Sequence, residues 1–180
     1  MVQVRGQEGL GARALELTIL TACRSGEVLG AKWDELDLEA AVWTVPAERM
    51  KAQRPHRVPL PKDAVALLEA LPRFEGAAYV FPGAKEGKPL SNMSMTTVLR
   101  RMGRTDITVH GFRSTFRDWA AENTNFPREL AEAALAHVLD SKTEAAYQRG
   151  DLLDRRRELM EAWAGWCIPS PIAEGAGAQM

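Results

Sequence analysis

The chain has 180 residues, 46% hydrophobic and 26% charged, enough apolar material for one globular domain with a sizeable core. No run of about 18 apolar residues occurs and the start MVQVRGQEGLG has no apolar signal core, so neither a membrane span nor a secretory leader is expected, and a cytoplasmic protein is. Cys23 and Cys167 stand far apart without Cys or His at zinc-like spacing, so neither a disulfide framework nor a structural metal is implied, and a net charge of −1 argues against a generic nucleic-acid coat.

The charge is unevenly placed. Arg49, Lys51, Arg54, His56 and Arg57 fall in one stretch without an acid, and Arg100, Arg101, Arg104, Arg113 and Arg117 make a second basic-rich region. Local field steers a phosphate backbone more than total charge does, so a positive groove is compatible with this composition.

In chain order, Leu10, Leu15, Ile19 and Ala22 recur at near-helical spacing and predict an amphipathic helix from Gly9 to Cys23. Ser25 reads as the N-cap of a second helix through Leu29, with Glu27 in its first turn and Arg24 at the junction. AVWTVP at 41–46 and HRVPL at 56–60 predict a hairpin whose connection, Met50 to Pro55, carries Lys51, with His56 on the hairpin surface or at a DNA contact. A helix opens at Pro61, and Tyr79 to Phe81 suggests a short third strand in which Tyr79 packs. Ser91 starts a helix through Met102. HGFRSTFRDWAAEN then carries a core-facing stripe of Phe112, Phe116 and Trp119, with His110, Arg113 and Arg117 on a cationic side.

Pro127 opens a helix that ends near His137. Ser141 and Glu144 are spaced as a capping box, which puts Tyr147 in the last turn of a short helix before Gly150. A final helix from about Leu152 carries Trp163 and Cys167, with Arg155 to Arg157 read as a solvated face, and residues 168–180 read as a tail. The order of elements predicts an α+β fold, mostly helical with a small antiparallel sheet.

TACRSGEVLGAKW, MKAQRPHRVPL, HGFRSTFRDWA and LAHVLDSKTEAAYQRGD resemble, in order, the catalytic boxes of the tyrosine recombinases, the phage-integrase family, and are most similar to prophage and genomic-island integrases. The resemblance runs from about Leu15 to Trp166, and the combined pattern is far more specific than any one box. It implies a DNA breaking-rejoining fold, with residues 1–167 as the catalytic domain. By resemblance Arg24 is the first arginine, Lys51 the hairpin lysine, His110 and Arg113 the H-x-x-R pair, His137 the later histidine and Tyr147 the nucleophile. Glu27 is similar to the acidic residue that supports the first arginine. Ala22 and Ala136 stand where the family commonly has glycine.

The chemistry suits these residue types. A phenol with a pKa of about 10 needs a base and a cationic field to attack at neutral pH. Guanidinium forks match the non-bridging oxygens on which phosphoryl transfer builds charge, and a lysine on a hairpin tip is a general acid for the departing 5′ oxygen. No metal and no cofactor are expected, since the sequence holds neither a Gly-rich phosphate loop nor a carboxylate cluster.

The implied partner is double-stranded DNA, bound by a homotetramer, with a C-terminal helix that either covers its own core or docks on a neighbouring subunit. The boxes begin almost at Met1, so the core-binding and arm-binding domains that usually precede them are expected to be absent and the chain alone to cleave weakly. Other readings are a type IB topoisomerase-like enzyme, a non-catalytic DNA-binding or regulatory relative, and a helical protein unrelated to DNA. Taken singly, each residue also has a plain structural reading. Arg24 pairs with Glu27 at i, i+3, Lys51 is a surface lysine, and His110 and His137 sit at helix ends.

Overall fold

A computed structural model describes residues 1–137 and 152–168. The helices are α1 (Val2–Arg5), α2 (Leu10–Thr21), α3 (Ser25–Leu29), α4 (Lys62–Glu69), α5 (Met93–Arg101), α6 (Gly111–Asn123), α7 (Arg128–Ala134) and α8 (Leu153–Cys167). The strands β1 (Leu36–Asp37), β2 (Val42–Val45) and β3 (His56–Pro59) form one antiparallel sheet in the order β1-β2-β3, with Val45 opposite His56 at the hairpin mouth. The fold is α+β, mostly helical with a small antiparallel sheet, as the sequence predicts.

Helix α2 is the axle of the domain. Its residues from Ala14 to Thr21 are all buried, and α1, α3, α4, α5 and α8 pack around it. A helix enclosed on every side must satisfy its polar groups internally. Thr18 and Thr21 donate their hydroxyls to Ala14 O and Leu17 O, and Glu16 is held by Arg5 and Arg13. From α8 the Trp163 indole donates to Ile19 O at 2.7 Å, and its ring meets Phe116 edge-on and stacks on Trp166. The Trp163 stripe thus covers this chain's own core, tying α6 and α8 onto α2.

Several local expectations are corrected. The third strand is Leu36–Asp37, while Tyr79 makes only an isolated bridge with Lys32, because the short run after Ala77 passes the sheet without entering its ladder. The N-cap of α3 is Arg24, and Ser25 is the first helical residue. A 3-10 turn at Ala47–Arg49 occupies the start of the hairpin connection. Arg155 to Arg157 do not form one solvated face: Arg155 is exposed, Arg156 is 1% exposed, and Arg157 donates to the carbonyls of Ala40 and Ala41. Three successive helical residues point in different directions, and on α8 that puts one of them inside.

Ala22 closes α2 at φ 51, and Ala136 follows α7 at φ 49, so both positions where glycine is common lie in the left-handed region. The departure changes the side chain and leaves the turn intact. An L-residue there costs about 1–2 kcal/mol, partly offset by the greater unfolded-state entropy of glycine. Ala136→Gly, at a half-buried site, is expected to raise unfolding free energy by about 0.5 kcal/mol in urea titration. Ala22→Gly is expected to be near neutral, because the methyl group it deletes is buried.

Candidate active site

The site begins where α2 ends. The left-handed turn at Ala22 sends the chain through buried Cys23 to Arg24, whose extended backbone starts α3. Glu27, 5% exposed, accepts from the Arg24 backbone N–H and from Arg24 Nη1, each at 2.9 Å. The i, i+3 pair and the supporting role are one arrangement: the carboxylate caps the helix and steadies the guanidinium from the protein side. Burial pushes the Cys23 thiol up to about 12, which keeps it protonated and unreactive.

The hairpin is fastened to this corner by Arg49. Its Nη1 donates to Glu27 O at 3.1 Å, and its Nη2 pairs with Glu35 Oε2 at 2.5 Å, an oxygen that also accepts from the Trp43 indole. The guanidinium crosses the bare face of Gly30, where a Cβ would lie 2.6 Å from Nη1 and would push the Arg49 guanidinium off its partners. Two residues on, Lys51 is exposed on the connection. Arg24, Glu27, Arg49, Lys51 and His110 line one open cleft of ≈ 580 Å³.

His110 occupies the N-cap position of α6 without capping it; Thr108 Oγ1 accepts from Gly111 N at 3.0 Å instead, leaving the ring exposed toward the cleft. Three residues later Arg113 turns inward and is 5% exposed. It donates through Nη1 to Ala22 O and through Nη2 to Leu135 O at 2.7 Å, with His137 Nε2 at 3.4 Å from Nη2. Both carbonyls adjoin the left-handed turns, so the ends of α2 and α7 make a cradle for one guanidinium. Burial, and then the like charge of Arg24, lowers the Arg113 pKa from its ordinary value, yet a guanidinium stays cationic. Two neighbouring cations with one carboxylate behind them make a place for an anion.

Arg117 does not extend the cationic side. It donates through Nε to Glu132 Oε1 at 2.9 Å, while Glu132 Oε2 lies 2.7 Å from His137 Nδ1. Burial alone raises the Glu132 carboxyl, but the His137 hydrogen bond and the Arg117 charge outweigh it and hold the group below its ordinary value. His56 is likewise not surface. It is half-buried with Nε2 shut off from solvent and without a hydrogen-bond partner among the described residues, and burial, then the Arg156 charge, lowers its pKa to about 4.

Of the sequence-predicted site residues, Arg24, Lys51 and His110 therefore share a cleft, Glu27 backs Arg24, and Arg113 and His137 meet. Tyr147 lies outside the described residues. Sequence reasoning missed Glu132, Arg117 and Arg49 as partners of these groups. The one available signal was an acid five residues before His137 on the same predicted helix.

The sequence pattern of the phage integrase family matches residues 10–151, which span every box that builds this geometry. The chain belongs to the phage integrase family. It is 40% identical over 149 residues to prophage integrase IntA of Escherichia coli K12, covering 81% of this chain and 36% of that protein. It is 33% identical over 171 residues to the integrase of Enterobacteria phage P4, covering 85% and 39% respectively. The chain thus spans well under half the length of these curated relatives. In structure it is similar to the integrase from mycobacterium phage Brujita, with a TM-score of 0.68 over 89% of this chain and 54% of the other; at 21% identity this likeness shows a shared fold.

Proposed function

We propose that this chain is the strand-cleaving domain of a site-specific DNA recombinase, acting through a 3′-phosphotyrosyl intermediate on Tyr147. The observation that carries the reading is the convergence of Arg24, Lys51 and His110 on one cleft, beside an Arg113 whose guanidinium is anchored at Ala22, two residues before Arg24. Membership of the phage integrase family supports it.

In the proposed reaction Arg24 and Arg113 bind the non-bridging oxygens of one phosphate, and charge developing there is met by fixed cations. His110 adds a hydrogen bond from the α6 start. The Tyr147 oxygen attacks phosphorus, the P–O5′ bond breaks, the phenol proton passes to a neighbouring base, and the departing oxygen takes a proton from Lys51. The phosphotyrosyl ester keeps the energy of the broken phosphodiester, so a 5′ hydroxyl from a partner duplex reverses the step without ATP. Four protomers on two duplexes would complete an exchange.

A nicked duplex that sheds its short 5′ fragment traps the intermediate. The assay is run with the chain alone and with the chain joined to the amino-terminal region of a relative. A covalent adduct mapped to Tyr147 by mass spectrometry, weak for the chain alone and absent for Tyr147→Phe, is the expected result. An adduct formed by the Phe variant, or none from wild type in either form, overturns the assignment.

A further inference from the structure

We propose that Glu132 is the positioning residue for His137, fixing its ring proton on Nδ1 and presenting Nε2 as a hydrogen-bond acceptor for Arg113. The proposal deepens the strand-transfer reading above and, for its catalytic consequence, rests on it.

The argument starts at the end of α7. Ala136, left-handed at φ 49, reverses the chain so that His137 N donates to Glu132 O at 3.0 Å and the imidazole folds back along its own helix. That places Nδ1 2.7 Å from Glu132 Oε2. Two acceptors cannot share that distance without a proton between them, and a carboxylate has none to give at neutral pH, so the neutral ring carries its proton on Nδ1. Its lone pair is then on Nε2, which faces the Arg113 Nη2 donor at 3.4 Å. An imidazole in water favours the opposite tautomer, so an outside partner must select this one.

Glu132 is itself well held. Its side chain is 8% exposed; Arg117 Nε lies at 2.9 Å from α6, and Arg128 Nε at 3.7 Å from the start of α7. These cations keep it ionised and aimed. His137 Nε2 then accepts from the Arg113 Nη2 hydrogen left over beside the one given to Leu135 O, and so helps hold the guanidinium that binds the phosphate in the strand-transfer reading. The Glu132 carboxylate keeps the ring in this tautomer and orientation, as a buried carboxylate does behind the histidine of a hydrolase triad.

The chain has three histidines, His56, His110 and His137, so imidazole ¹⁵N spectra of the free protein can be assigned with a His137→Gln control. At a pH where the rings are neutral, wild type is expected to show His137 protonated on Nδ1. Glu132→Gln is expected to move the proton to Nε2, whereas Arg117→Met, which leaves the Glu132 to His137 contact in place, keeps it on Nδ1. A wild-type ring protonated on Nε2 overturns the proposal even if Glu132→Gln fails to fold, and so does an unchanged tautomer in a folded Glu132→Gln. In the cleavage assay Glu132→Gln is expected to slow adduct formation about 10- to 100-fold, as loss of a carboxylate that orients a histidine does, with duplex affinity unchanged. A wild type that never forms adduct yet shows the Nδ1 tautomer would sink the strand-transfer reading and leave the positioning role standing.

Discussion

Arg113→Lys is expected to lower the rate of covalent adduct formation by about 10²–10³-fold and also to destabilise the fold by roughly 2–3 kcal/mol. The two effects share a cause. One guanidinium donates to Ala22 O and to Leu135 O while keeping an edge beside His137 Nε2, and a lysine ammonium cannot span three directions in one plane. At least one buried carbonyl then loses its donor, and the ends of α2 and α7 lose their common tie. Arg24→Lys provides the contrast, since its side chain is 30% exposed and among the described residues is partnered by the neighbouring Glu27 alone. That change is expected to impair cleavage without a matching loss of stability. Urea titration and adduct formation, measured below the unfolding midpoint, separate the two. Arg113→Lys cleaving at the wild-type rate while folded would remove the fork from the mechanism.

Between about pH 7 and pH 4 the protein is expected to lose about 3 kcal/mol of stability through His56 alone, whose pKa falls from 6.5 when unfolded to about 4 when folded. In that window the unfolded chain binds the proton and the folded chain refuses it. The contribution is fully present above 6.5 and disappears as pH falls toward 4. Protonation is resisted because the ring is buried and Arg156 on α8 adds like charge, which together outweigh the pull of Glu27 and of the Ala134 backbone; Arg113 adds a smaller like charge. His56→Gln has no proton to gain, so its unfolding free energy is expected to fall less steeply over the same range. Parallel slopes for the two proteins would show that His56 does not titrate as argued. Glu132 works in the same direction at lower pH, because a carboxyl held below its ordinary value gives up stability as it protonates.

Much of the site was legible from the chain alone. The helix stripes through Leu15 and Ile19 and through Phe116 and Trp119, and the hairpin formed by VWTV and HRVP, follow from local periodicity and propensity. The Arg24–Glu27 pair lies within one helical turn and was equally readable. The errors have physical reasons. Ser25 has a stronger cap propensity than Arg24, but the Glu27 carboxylate reaches the Arg24 N–H and takes the capping role. His56 and Arg156 look like surface residues by type, and each is drawn inward where β3 packs against α8.

By itself, then, the sequence determined which chemical groups are present, the order in which they arrive and the secondary structure that carries most of them, because those depend on neighbours a few residues away. Tertiary structure decided which groups meet. Arg113 finds Ala22 O 91 residues back and Leu135 O 22 residues ahead, and Arg49 reaches Glu27 across 22 residues. No periodicity encodes such pairs. They exist because burial strips water from each polar group and makes whatever donor or acceptor the fold brings alongside its obligatory partner.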